Sequence, residues 1–226
     1  KEVSGPRCKA AWLSGSFAYQ GARPARSDVD VVVVLNEATH LPADEESMRL
    51  IRTFVEVYLA IHAAHGFDPD LDFPGEYVTP AMLDETIRWR GLALDGRVAA
   101  NFPPVISDDY WLDRPDRWYN AWLSMTAFSR FPVGNLDYHR TVKLEAWKTI
   151  ARFLLLRADR RILTPDEMLL GLVQFGVKPR YPDFWSAERS WVDRALEELQ
   201  AEGAVALADG RIEADMGRLE ERDGQG

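Results

Sequence analysis

The sequence predicts an α+β fold: an N-terminal α/β domain with a mixed sheet over residues 1–100, followed by a mainly α-helical domain over residues 101–226. Three observations carry that expectation. The stretch "DVDVVVVL" (28–35) is apolar on both faces beyond its two acids, as in a strand covered on both sides. The stretch "DEESMRLIRTFVEVYLAIHAAHG" (44–66) places Met48, Ile51, Phe54, Val55 and Tyr58 at helical spacing, with Gly66 as a stop. Beyond "NFPPVISDD" (101–109), a Pro-containing boundary, the pattern turns helical. A chain of 226 residues, 46% of them hydrophobic, can bury a sizeable core.

In chain order, "KAAWL" (9–13) reads as a short strand and "SFAYQG" (16–21) as a helical turn ending at Gly21. The valine strand and the long helix follow. "LDFPGEYVT" (71–79) is a third strand interrupted by Pro74 and Gly75, and Thr79-Pro80 opens a helix through Trp89. Helices are expected near 114–129, 136–158, 165–175 and 184–202. "GAVALADGRIEAD" (203–215) is a hairpin signal with Asp209-Gly210 at the turn, and an acidic tail closes the chain.

Charge and cysteine content narrow the function classes. The net charge of −9 disfavours broad contact with a phosphate backbone, so nucleic acid is not the expected partner. The tail from Glu213, with five acids against two arginines, holds only three of those charges, so the body is acidic too. A single cysteine, Cys8, allows no internal disulfide, and no zinc-type spacing occurs. No apolar run approaches the ~20 residues of a membrane helix. A cytoplasmic protein without membrane attachment is the expectation; the chain begins at Lys1, without a methionine.

The two acids before the valines carry the chemistry. On an extended chain Asp28 and Asp30 share one face, and two carboxylates at the mouth of an apolar interior repel unless a cation lies between them. Hard oxygen ligands at this density suit magnesium, completed by water and substrate phosphates. Upstream, Ser14-Gly15-Ser16 follows a strand and opens a helical turn. Gly15 allows close backbone approach, free N–H groups favour an anion, and Ser16 adds a hydroxyl. Arg23, Arg26 and Ser27 lie in the intervening loop, where a guanidinium can clamp a phosphate.

"LSGS" followed by "SDVDVVVV" resembles the nucleotidyltransferase superfamily of DNA polymerase β, in particular its small-molecule branch of aminoglycoside and lincosamide nucleotidyltransferases. The resemblance covers roughly residues 9–80. It implies that Gly15 and Ser16 hold a triphosphate, with Arg26 and Ser27 beside them. It also implies that Asp28 and Asp30 bind two Mg²⁺ ions with a third acid from a neighbouring strand. Asp72 fits that place best, since "LDF" has the apolar-acid-apolar pattern; Asp70 and Glu76 share its parity. The implied reaction is Mg²⁺-dependent transfer of a nucleoside monophosphate, AMP from ATP, to an acceptor hydroxyl with release of pyrophosphate.

The acidic body and helical second half suggest a small, hydroxylated, cationic acceptor held between the domains. "VKLEAWKTIARFLLLR" (142–157) then supplies Glu145 as a general base and Lys143 as a phosphate contact. Two rival expectations are adenylylation of a protein partner, as in toxin-antitoxin pairs, and a non-catalytic winged-helix module formed by 165–215. His62 and His65 read as ordinary helix-face residues, since no third metal ligand is in view. Trp111, Trp118, Trp122, Trp147, Trp185 and Trp191 read as helix packing more than as a stacking wall.

Overall fold

The computed structural model describes residues 7–23, 25–36, 45–69, 76–81, 83–84, 123, 125–157, 163–171 and 183–221. Its first sheet has four strands: β1 (Cys8–Leu13), β2 (Val31–Leu35), β3 (Glu76–Val78) and β4 (Arg130–Gly134), in the order β3-β2-β1-β4. β2 pairs antiparallel with β1 and parallel with β3, and β1 pairs antiparallel with β4, so the sheet is mixed. The fold is α+β. A single turn, α1 (Gly15–Ala18), joins β1 to the loop before β2, and the 21-residue α2 (Glu45–His65) lies between the parallel strands β2 and β3.

Alternation explains how the sheet is covered. Ala10, Trp12, Val32, Val34 and Val78 form one buried face, with Leu83 and Val142 packed on it. Val33 and Leu35 are buried too. Phe54 of α2 meets Tyr77 edge-on at 5.4 Å, and Tyr77 is the register partner of Val33, so α2 covers the opposite face. The run of valines is buried on both sides because helices lie on both sides.

β4 is a strand that the sequence did not announce, between the helices expected near 114–129 and 136–158 in the mainly helical second half. "RFPVG" joins β1 as an outer strand of the first sheet. Its register against β1 shifts between Ala11 and Leu13, and the extra residue is absorbed where Phe131 takes φ +53°. Gly134, at φ +87°, lies where a β-carbon would come 2.7 Å from the Lys9 carbonyl oxygen, so that position requires glycine.

The remaining elements form a helical body. These are α3 (Leu136–Arg157), α4 (Pro165–Gly171), α5 (Phe184–Ala201), the hairpin β5 (Val205–Ala208) and β6 (Arg211–Ala214), and α6 (Met216–Glu221). Asn135 Oδ1 accepts the Tyr138 N–H at 2.9 Å at the start of α3. Thr164 and Glu167 form a reciprocal capping box before α4, at 3.2 and 2.8 Å. Asp209 and Gly210 have φ of +51° and +72°, the two-residue turn expected from "DG". A second core of Tyr19, Phe128, Trp147, Ile150, Phe184, Leu196, Leu199 and Ile212 holds these elements together. No described helix is long and apolar enough to cross a membrane.

Candidate functional site

The Gly-Ser turn and Asp30 are in direct contact. β1 ends at Leu13 opposite Val31, and the ladder runs one step further: Ser14 N–H donates to the Asp30 carbonyl at 2.9 Å. Gly15 follows at φ +62°, with its Cα against the Asp30 carboxylate. A β-carbon there would stand 2.7 Å from Asp30 Cγ and closer still to Oδ2. Glycine is therefore required twice over, by the left-handed backbone and by the acid beside it. Because α1 is one turn long, its dipole adds little at this turn.

β2 begins only at Val31, three residues later than expected from the sequence, so Asp28 and Asp30 sit in the run that leads into it. Both are half-buried, and their parity is that of Val32 and Val34. The residue between them is anchored: Val29 N–H donates to His62 Nε2 at 3.0 Å, and His62 Nδ1 lies 2.8 Å from the Tyr58 carbonyl. His62 is buried, with its ring 3.9 Å from that of Tyr58. The sequence pattern reads His62 as an ordinary helix-face residue and does not show this hydrogen bond. The available signal was its position one turn after Tyr58 on a buried helix face.

The loop before the acids is stitched to the end of α2. Ala25 N–H donates to Gly66 O at 2.7 Å, and Asp68 N–H donates to Ser27 O at 3.1 Å. Ser27 Oγ accepts the Arg23 N–H at 3.0 Å, so this hydroxyl shapes the loop; Arg26 is exposed. Asp70 and Asp72 lie outside the described residues. Glu76 is described only through its backbone, which pairs with Val32. Among the described residues no group of three His, Cys, Asp or Glu side chains is placed to hold a metal ion.

Lys143 is a correction. Rather than facing a phosphate, its ammonium is buried, donating to Ser129 O at 2.7 Å and pairing with Glu188 at 2.9 Å. Glu188 also accepts the Trp147 indole N–H at 3.0 Å and the Tyr19 hydroxyl at 2.5 Å. Burial pulls the Lys143 ammonium below its ordinary value and Glu188 opposes that pull. Burial first, then the Glu188 charge, pushes the Tyr19 phenol far up. An i-to-Glu188 partner 45 residues away left no trace in the local pattern, which is why the sequence misplaced Lys143.

Glu145 stands differently. Asn135 N–H bonds Lys9 O, the His139 ring lies 5.2 Å from that of Trp12, and Lys143 reaches Ser129, next to the Arg130 that faces Leu13. α3 therefore advances along β1 toward the Gly15 end. Glu145 lies on the stripe of Tyr138 and Val142, one turn further on, and its Oε1 accepts a hydrogen bond from Lys148 Nζ at 3.1 Å. Of the tryptophans, Trp147, Trp185 and Trp191 belong to the helical core as expected, while Trp111, Trp118 and Trp122 lie outside the described residues. Comparison with protein families, with curated proteins and with solved structures finds no match to this chain.

Proposed function

We propose that the chain is a Mg²⁺-dependent nucleotidyltransferase that moves a nucleoside monophosphate, AMP from ATP, onto the hydroxyl of a small, cationic acceptor. The single observation that carries this reading is the packing of Gly15 against Asp30, which joins a strand-turn Gly-Ser element to an acid pair entering a buried strand. The donor set fits magnesium: Asp28 and Asp30 are half-buried hard oxygen donors on one face, and Asp72 is proposed as the third. When bound, magnesium supplies charge neutralisation at the transferring phosphate.

The chain's own residues bind and orient. Gly15 and Ser16 hold the phosphates, with Arg26 at the rim. Glu145 accepts the proton as the acceptor oxygen forms its bond to the α-phosphorus and the bond to pyrophosphate breaks. Lys148 Nζ lies 3.1 Å from the Glu145 carboxylate and holds its side chain in place. Little covalent work falls to the protein, so rigid placement of the acids accounts for the reading's structural demands.

A second reading has one observation in its favour. α4, α5 and the β5–β6 hairpin, with Leu163 bridging Ile212, follow the layout of a winged-helix module. The outer side of α5 mixes Arg189 and Arg194 with Asp193, Glu197 and Glu198, which does not suit a phosphate backbone. The test is incubation with α-labelled nucleoside triphosphates, Mg²⁺, a panel of hydroxylated amines and cell extract. Label on a small acceptor, lost in Asp28→Asn and Asp30→Asn, is the expected result. Label confined to a protein band replaces the acceptor by a protein. Absence of both transfer and Mg²⁺-dependent nucleotide binding, with salt-sensitive binding of duplex DNA, overturns the enzyme in favour of the winged-helix reading.

A further inference from the structure

We infer that His62 is a positioning residue for the acid pair: from α2 it holds the N–H of Val29, the residue between Asp28 and Asp30, and so sets the direction of both carboxylates. The inference rests on the metal-site reading above and adds to it a residue outside the acid set.

The β2 ladder starts at Val31, so Asp28–Asp30 lack regular strand pairing. On the side of β1, Ser14 N–H holds the Asp30 carbonyl. Backbone N–H groups of adjacent extended residues point to opposite sides, so the Val29 N–H faces away from β1, and there His62 Nε2 receives it at 3.0 Å. Two pins, one on the Asp28–Val29 peptide and one on the Asp30–Val31 peptide, hold the short run from opposite sides. Without the second, Val29 would carry a buried, unmatched donor, and the short run could rotate about Asp30.

The imidazole can do this in one tautomer. A carbonyl only accepts, so the Tyr58 contact requires the proton on Nδ1, and that leaves Nε2 bare for the Val29 N–H. The ring is held by Tyr58 at 3.9 Å and Phe67 at 6.3 Å, and Phe67 N–H bonds the His62 carbonyl at 3.0 Å. A partner that orients a ligand residue without touching the metal typically changes metal affinity 10- to 100-fold when lost.

Two substitutions divide the two hydrogen bonds. His62→Gln keeps an acceptor near the Nε2 position and loses the Tyr58 anchor. His62→Asn keeps a donor near Nδ1 and loses the acceptor for Val29. A purely structural role predicts equal effects, since each variant loses one bond. Mn²⁺ alone is titrated into the full chain and free Mn²⁺ is read by its paramagnetic resonance, with Asp30→Asn identifying binding at the acid pair. The expected result is about tenfold weaker binding in His62→Asn and binding within about threefold of wild type in His62→Gln. Wild-type affinity in His62→Asn, or equal losses in both, overturns the inference. Wild type that binds no Mn²⁺ in an Asp30-dependent way removes the metal reading itself, and the inference with it. Should neither variant fold, the wild type decides: added Mg²⁺ must shift the Val29 amide and His62 ring nitrogen resonances, with Nδ1 protonated, and unmoved resonances overturn the proposal.

Discussion

Replacing Gly15 by alanine tests the contact on which the candidate site depends. Two costs add. Alanine at φ +62° carries about 1 kcal/mol of backbone strain. Its β-carbon would also stand 2.7 Å from Asp30 Cγ, well inside contact distance, so the carboxylate must move; forced displacements of this kind cost about 1–3 kcal/mol. The expected loss is about 3 kcal/mol, or roughly 6–12 °C in Tm for a chain of this length. The assay is a double-mutant cycle by thermal and urea unfolding with Asp30→Gly as the second change. With the carboxylate gone only the backbone term is left, so Gly15→Ala should cost about 1 kcal/mol in that background. Additivity of the two substitutions within about 0.5 kcal/mol would refute the contact.

Three further outcomes are expected. Glu188→Gln leaves the Lys143 ammonium buried without its counter-charge and should destabilise the fold by about 3–5 kcal/mol in urea, with much of that recovered in Lys143→Met/Glu188→Leu. Burial, then the charges of Lys143 and Arg140, hold His139 down at about 4, whereas the unfolded chain protonates near 6.5. Stability should therefore fall as pH drops from about 6.5 to 4, by at most about 3 kcal/mol from this residue. A pH series of urea midpoints on wild type and His139→Gln checks it; an unchanged slope in the variant would remove His139 as the source. Glu145→Gln should lower nucleotidyl transfer by about 10²-fold with nucleotide binding nearly unchanged, and normal turnover would remove it as base.

What could be read in advance follows the range of the physics. The long helix was legible because its burial repeats every turn, and the C-terminal hairpin because Asp209-Gly210 meets a local dihedral demand. β4 was not legible. "RFPVG" is five residues long, contains a proline, and exposes Phe131 and Val133, so neither periodicity nor propensity marks it; pairing with β1, more than a hundred residues earlier, makes it a strand. Separations of 45 and 33 residues likewise hid the Lys143–Glu188 pair and the grip of His62 on Val29. The Gly15 and Asp30 motif was visible, but the reason for glycine was incomplete: the acid itself occupies the space a side chain would need. Asp70 and Asp72 lie outside the described residues.

The placement of β4 bears on how such a chain could be divided or recombined. β4 carries Pro132, which has no N–H to offer, and a bulge at Phe131, features that discourage a further strand, and among the described residues none pairs beyond it. A fragment ending at residue 100 would bare the β1 edge, a short apolar run well suited to pairing with copies of itself. The helical half is for the same reason no exchangeable cassette. Any graft that replaces the helices beyond residue 135 must keep residues 130–134 with the N-terminal half, because the second half of the gene encodes the guard rail of the first.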